Sequence, residues 1–151
     1  MSFQIVGTGR SNPAFVLTNE MVSKIVDTDD EWITSRTGIK TRFISTNETL
    51  EDLATEASKR ALESAGIEGR EVDLIICSTF HGEYLTPSLS CLIQLNIGAS
   101  CPAFDINAAC TGFVYGLDIA DAYFSSGKAE TILVVAAEAM TRHIDWSDRS
   151  T

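Results

Sequence analysis

Two apolar runs constrain this chain most: Val72-Asp73-Leu74-Ile75-Ile76-Cys77 and Thr131-Ile132-Leu133-Val134-Val135-Ala136-Ala137. Neither alternates polar with apolar residues, as a strand with one wet face would. Such runs suit strands covered on both faces, as in a sheet between layers of helices. The segments around them read as helices. Before the first run, Leu50, Leu53, Ala54, Ala57, Ala61, Leu62 and Ala65 recur at helical spacing. Glu and Lys or Arg fill the opposite face, Thr49 with Asp52 caps the start and Gly66 closes the end. A helix is expected over 88–96, a strand at Ala103-Phe104-Asp105-Ile106 and a helix over 111–125. Strands alternating with helices predict α/β architecture, with right-handed crossovers and helices on both sheet faces.

The remaining segments are shorter. Phe3-Gln4-Ile5-Val6-Gly7-Thr8-Gly9 reads as a further buried strand. Its glycine pair is not a phosphate loop, because the third glycine is missing and Asn12-Pro13 follows as a turn. Helical signals follow Thr18-Asn19, running to Val26. Thr28-Asp29-Asp30-Glu31 fits a capping box, with the Thr28 oxygen on an orphan amide and Glu31 reaching back; Gly38 ends that helix. Residues 39–44 suit a small ribbon. No repeat, low-complexity segment or linker suggests a second domain.

Composition narrows the function. With 151 residues, 44% of them hydrophobic, the chain can bury the core of one domain. A net charge of -10 repels nucleic acid and anionic membranes. No positively charged start followed by an apolar core marks a signal peptide and no apolar run approaches the ~18 residues of a membrane span, so a cytoplasmic protein is expected. Cys77, Cys91, Cys101 and Cys110 show no CxxC spacing and no histidines at zinc-site intervals. Reduced thiols and no metal are the expectation.

Cys110 holds a different position from the other three cysteines. In Asp105-Ile106-Asn107-Ala108-Ala109-Cys110-Thr111-Gly112-Phe113 it follows the carboxyl end of a buried strand and opens a helix. Sites collect at such strand ends. A helix N-terminus favours a thiolate and offers amides to an oxyanion. Position alone leaves a small core thiol and a nucleophile equally open. Cys77 inside a strand, Cys91 inside a helix and Cys101 before Pro102 read as structural.

Two segments carry a family resemblance. Thr28-Asp29-Asp30-Glu31-Trp32-Ile33-Thr34-Ser35-Arg36-Thr37-Gly38-Ile39 resembles the coenzyme A-binding signature of the β-ketoacyl-acyl carrier protein synthase III family, and the Cys110 segment resembles its nucleophile segment. The likeness runs through Pro102-Ala103-Phe104-Asp105 to Asp148-Arg149-Ser150-Thr151. It implies a thiolase-like layered αβα fold, with 1–151 as the N-terminal half of a duplicated fold, short of its last strand. The C-terminal half, which holds the family's catalytic histidine and asparagine, would lie outside this chain.

The resemblance also implies roles. Cys110 would accept an acyl group from acyl-coenzyme A (acyl-CoA), after which malonyl-acyl carrier protein would lose CO2 and attack the thioester. Trp32 and Arg149 would sandwich the adenine, Thr28 would hydrogen-bond near the base and Arg36 would face the phosphates. Thr86 would stand in the acyl pocket of the neighbouring subunit of a homodimer, where many relatives carry a larger side chain, so primers longer or more branched than acetyl are expected. No permanently bound cofactor is implied. Alone, the chain is expected to be acylated at most and to need its missing half or a complementary chain. His81 suits a site rim without an assigned role, and His143 the surface. Two other readings stand beside this one: a related thiolase-fold acyltransferase making polyketide- or quinolone-type products, and a non-catalytic fragment pairing with a partner chain through exposed sheet.

Overall fold

The computed structural model describes residues 3–149. In chain order the elements are β1 (Phe15–Thr18), α1 (Asn19–Val22), α2 (Asp30–Thr37), β2 (Thr41–Ile44), α3 (Leu50–Ala65), β3 (Leu74–Ser78), α4 (Leu89–Asn96), β4 (Ala103–Ile106), α5 (Gly112–Ser125) and β5 (Ile132–Ala136). They fall into two compact units, residues 3–11 with 49–138 and residues 12–48 with 139–149.

The larger unit is built on a parallel sheet in the order β4-β3-β5. All five residues of β3 are buried, as its unbroken apolar run requires. Leu74 and Ile76 pack with Ala120 of α5 in a core joined by Phe104, Ile106, Ile119, Tyr123, Phe124, Ile132 and Val134. Ile75 and Cys77 point to the opposite face and are equally buried. That face is left to α3 and α4, which pack on each other and on the sheet. The helix–sheet–helix layering is therefore present. The α3 cap forms as expected: the Thr49 hydroxyl accepts from Asp52 N at 3.0 Å, and Thr49 N donates to the Asp52 carboxylate at 2.9 Å. Such a cap contributes about 1 kcal/mol.

Phe3–Gly9 departs from its expected role. It is not a strand, and Ile5 and Val6 are 62% and 60% exposed. Among the described residues no strand pairs with it. With β5, α3 and α5 it lines an apolar cavity of about 320 Å³, so its side chains face a slot where the expectation placed core.

In the smaller unit β1 pairs with β2 antiparallel, Phe15 opposite Ile44. Leu17, Val22 and Ile33 form its core, with Trp32 and Trp146 packed against them. The helix expected to reach Val26 stops at Val22 and closes on Ser23. The cap of α2 is Asp29 and not Thr28: the Asp29 carboxylate accepts from Trp32 N at 2.7 Å. Asp and Thr both cap well, and moving the cap by one residue places Trp32 where the box needed Glu31. Gly38 ends the helix in the left-handed conformation at φ 71°.

Glu48 holds the segment after β2. Its carboxylate accepts from Ala14 N at 2.8 Å and from Thr46 N and Asn47 N at 3.2 and 3.3 Å. These amides, Ala14 foremost, hold its pKa down at about 2 from 4.5. The depressed value means that Glu48 contributes stability above pH 4.5, which is lost as pH falls from there through about 2. Chemical denaturation of wild type and Glu48→Gln is expected to show a stability gap at pH 6 that closes over that range. A gap that does not change with pH would refute the assignment.

Candidate active site

Cys110 lies in a single 3-10 turn, Ala109–Thr111, between β4 and α5. The turn is the expected strand-to-helix junction with one feature the sequence did not disclose: Ala109 has φ 46°. A non-glycine residue in that region costs roughly 1–2 kcal/mol, so the surrounding contacts must hold the bend that presents Cys110. The close approach of α5 is one of them. A Cβ at Gly112 would overlap the Ser78 hydroxyl at the carboxyl end of β3, and one at Gly116 would come within 2.8 Å of Val134 Cγ1. Small residues at these two positions let the helix start against the sheet. This fixes the Cys110 turn at the carboxyl edge of β3, where strand-to-helix loops build sites.

Accessibility separates the four thiols. Cys110 is exposed, Cys77 is buried, and Cys91 and Cys101 are half-buried. Burial pushes the Cys77 thiol well above its ordinary range, aided by the Asp105 and Glu138 charges, and burial also raises Cys101. Cys91 accepts from the Ser88 hydroxyl at 3.1 Å. A buried neutral thiol is a poor nucleophile, which supports the structural reading of Cys77 and Cys101.

The loop from β3 to α4 follows the same carboxyl edge. Thr86 is exposed on it, beside Tyr84 and a fully exposed Leu85. His81 is also on this loop, exposed and 6.4 Å from the Phe80 ring. Asp105, Asn107 and Glu138 bond to the two ends of the loop, roles that no spacing pattern marked.

The other predicted residues belong to the smaller unit. The guanidinium carbons of Arg36 and Arg149 lie 4.5 and 5.0 Å from the centroid of the Trp32 indole, within cation–π range. Arg149 also donates to the Asp27 carbonyl at 3.2 Å. The next residue, Thr28, holds a buried hydroxyl with no hydrogen-bond partner among the described residues. Freed from the cap that Asp29 supplies, it is a polar atom in want of a ligand. Trp32 and Arg36, one turn apart on α2, are thus brought together with Arg149, which is distant in sequence. Trp32 also packs against the Leu17, Val22 and Ile33 core, so it pins its helix as well. His143 is exposed, and Ser150 and Thr151 lie outside the described residues. Among the described residues no three His, Cys, Asp or Glu side chains gather as a metal site, and no helix is long and apolar enough to cross a membrane.

A model of the family described as 3-oxoacyl-[acyl-carrier-protein (ACP)] synthase III matches residues 104–151, the stretch that contains Cys110. The crystal structure of 3-oxoacyl-[acyl-carrier-protein] synthase III from Aquifex aeolicus superposes with a TM-score of 0.97 at 50% identity, over 99% of this chain and 49% of that one. The chain belongs to the 3-oxoacyl-[acyl-carrier-protein] synthase III family. Its fold is thiolase-like. The β-ketoacyl-[acyl-carrier-protein] synthase III of Xanthomonas campestris pv. campestris is 52% identical over 150 residues, 98% of this chain and 46% of that protein. A priming β-ketosynthase from a polyketide biosynthetic pathway superposes with a TM-score of 0.93 at 41% identity, over 97% of this chain and 45% of that one. The chain spans about half the length of the curated relatives it matches.

Proposed function

We propose that the protein is a decarboxylating acyltransferase that starts fatty-acid synthesis, and that this chain is the amino-terminal half that accepts the acyl primer. One observation carries the reading: among the four cysteines only Cys110 is exposed, and it stands on a strained turn at the carboxyl edge of a parallel sheet. In the proposed step the Cys110 thiolate attacks the carbonyl of an acyl-CoA. A sulfur–carbon bond forms, the bond from that carbon to the coenzyme sulfur breaks, and coenzyme A leaves as the thiol after taking a proton. Malonyl-acyl carrier protein then enters, loses CO2, and its enolate carbon displaces the Cys110 sulfur. The donors that stabilise the enolate are assigned to the other half.

The nucleotide end of the coenzyme is assigned to Trp32, Arg36, Arg149 and Thr28. An indole face suits a purine, a guanidinium fork suits phosphate, and the Thr28 hydroxyl lacks a partner among the described residues. The slot between Phe3–Gly9 and β5 supports the assignment of the chain as one half, because it leaves an apolar floor beside the outer edge of β5. We assign a strand of the remainder to it, and a homodimer to the complete enzyme. Priming of polyketides is the second reading, favoured by the 41% identity to a polyketide-pathway ketosynthase.

Iodoacetamide mapping by mass spectrometry tests the reading. Cys110 is expected to alkylate first and to be protected by acyl-CoA. Slow, uniform labelling of all four cysteines would favour the non-catalytic fragment. The exposed threonine at position 86 predicts a broad primer range, so butyryl- and octanoyl-CoA are expected to acylate Cys110 at rates comparable with acetyl-CoA. A strict acetyl preference would refute that part.

A further inference from the structure

The loop that carries Thr86 is held at both ends by side chains of the nucleophile segment itself. At its start, Asn107 Nδ2 donates to the Phe80 carbonyl at 3.1 Å, and Phe80 N donates to Glu138 Oε1 at 2.8 Å. At its end, the Asp105 carboxylate accepts from Leu89 N and Ser90 N, both at 2.9 Å. These are first-turn amides of α4, left over because the Ser88 side chain makes no cap bond. Asp105 therefore caps a helix to which it does not belong, from the strand that leads into the Cys110 turn. Midway, Glu83 accepts from Leu50 N at 3.2 Å. Tyr84, Leu85 and Thr86 project from this frame into solvent.

We infer that Asp105 and Asn107 are positioning residues that clamp the 79–88 loop to the Cys110 segment, so that the segment carrying one subunit's nucleophile also fixes the loop that lends Thr86 to the neighbouring subunit's acyl pocket. The inference rests on the proposed acylation of Cys110 and on the assignment of Thr86 to the acyl pocket. Neither residue touches the acyl group in this account; each acts by fixing where the loop stands. A loop tied at both ends holds the small Thr86 side chain in one place and keeps room for a long acyl chain, whereas a loosened loop samples positions that intrude on that room and penalise the longer chain. Asp105 binds backbone amides as a bidentate anionic cap, and Asn107 contributes a single neutral bond, so Asp105 is the stronger clamp.

The test uses Asn107→Ala and Asp105→Asn in the full protein. Three quantities are read: single-turnover acylation of Cys110 by acetyl- and octanoyl-CoA, iodoacetamide alkylation of Cys110, and hydrogen exchange over 79–90. Loss of the exposed Asn107–Phe80 hydrogen bond is expected to lower the octanoyl-to-acetyl rate ratio about fivefold in Asn107→Ala, and loss of the helix cap to lower it more in Asp105→Asn. Exchange at Leu89 and Ser90 is expected to accelerate in Asp105→Asn, and the alkylation rate is expected to hold. A ratio equal to wild type in Asn107→Ala, or an equal fall for both acyl chains, would overturn the inference while leaving the function intact. Failure of any acyl-CoA to acylate wild-type Cys110 would overturn the function, and this inference with it. If Asp105→Asn does not fold, Asn107→Ala decides alone, because its side chain is exposed.

Discussion

Replacement of Cys110 by alanine is expected to abolish acyl transfer from acyl-CoA, with a fall in rate of at least about a thousandfold, while the fold and coenzyme binding persist. The argument is positional. The thiol is exposed, so its loss leaves no core cavity, and alanine introduces no strain beyond that already present at Ala109. Intact-mass analysis after incubation with acetyl-CoA is expected to show one added acetyl group in wild type and none in Cys110→Ala. The same experiment on Cys77→Ala separates activity from packing. Cys77 is fully buried in β3, so its replacement is expected to lower stability by about 1 kcal/mol and leave acylation in place. If Cys110→Ala were acylated as fast as wild type, the nucleophile would be another residue and the proposed mechanism would fall.

The same contrast shows how much of the molecule was legible in the sequence. The Val72-to-Cys77 run suited a covered strand, because it is too short for a helix buried all round and is rich in β-branched residues. The capped, periodic α3 was equally determined, since local cap chemistry and the apolar stripe agree. Phe3–Gly9 was misread because strand identity depends on a partner: a run of the same composition lines a slot when nothing pairs with it. Thr28 and Asp29 are adjacent capping residues, and only the three-dimensional trace selects Asp29, which leaves the Thr28 hydroxyl without a partner among the described residues. In the site, Cys110 stood out by its junction. The clamps at Asp105 and Asn107 did not, because their partners are backbone groups, and backbone groups leave no mark on residue identity.

Coenzyme A affinity is expected to fall about 5- to 150-fold in Trp32→Ala, the range set by 1–3 kcal/mol for an aromatic platform under a base. Trp32 also packs on Leu17, Val22 and Ile33, so alanine will cost stability as well. Trp32→Phe retains the packing and isolates the stacking loss, which is then smaller. Arg36 and Arg149 are expected to differ from Trp32 in their response to salt. A guanidinium on phosphate at an exposed position is screened over a Debye length of roughly 8 Å at 0.15 M, whereas stacking is not. Calorimetric titration at two ionic strengths should therefore show the salt dependence diminished in Arg36→Ala and retained in Trp32→Phe. Arg149 carries a further consequence. Its guanidinium lies 5.0 Å from the indole centroid, and a purine seated between the two planes needs roughly 7 Å, so ligand entry must lift Arg149 from the ring. Arg149→Ala removes both the upper contact to the base and the competitor for the ring face, so its affinity loss is expected to be smaller than that of Trp32→Ala. An equal or larger loss would mean that Arg149 holds the phosphates and that the sandwich assignment is wrong.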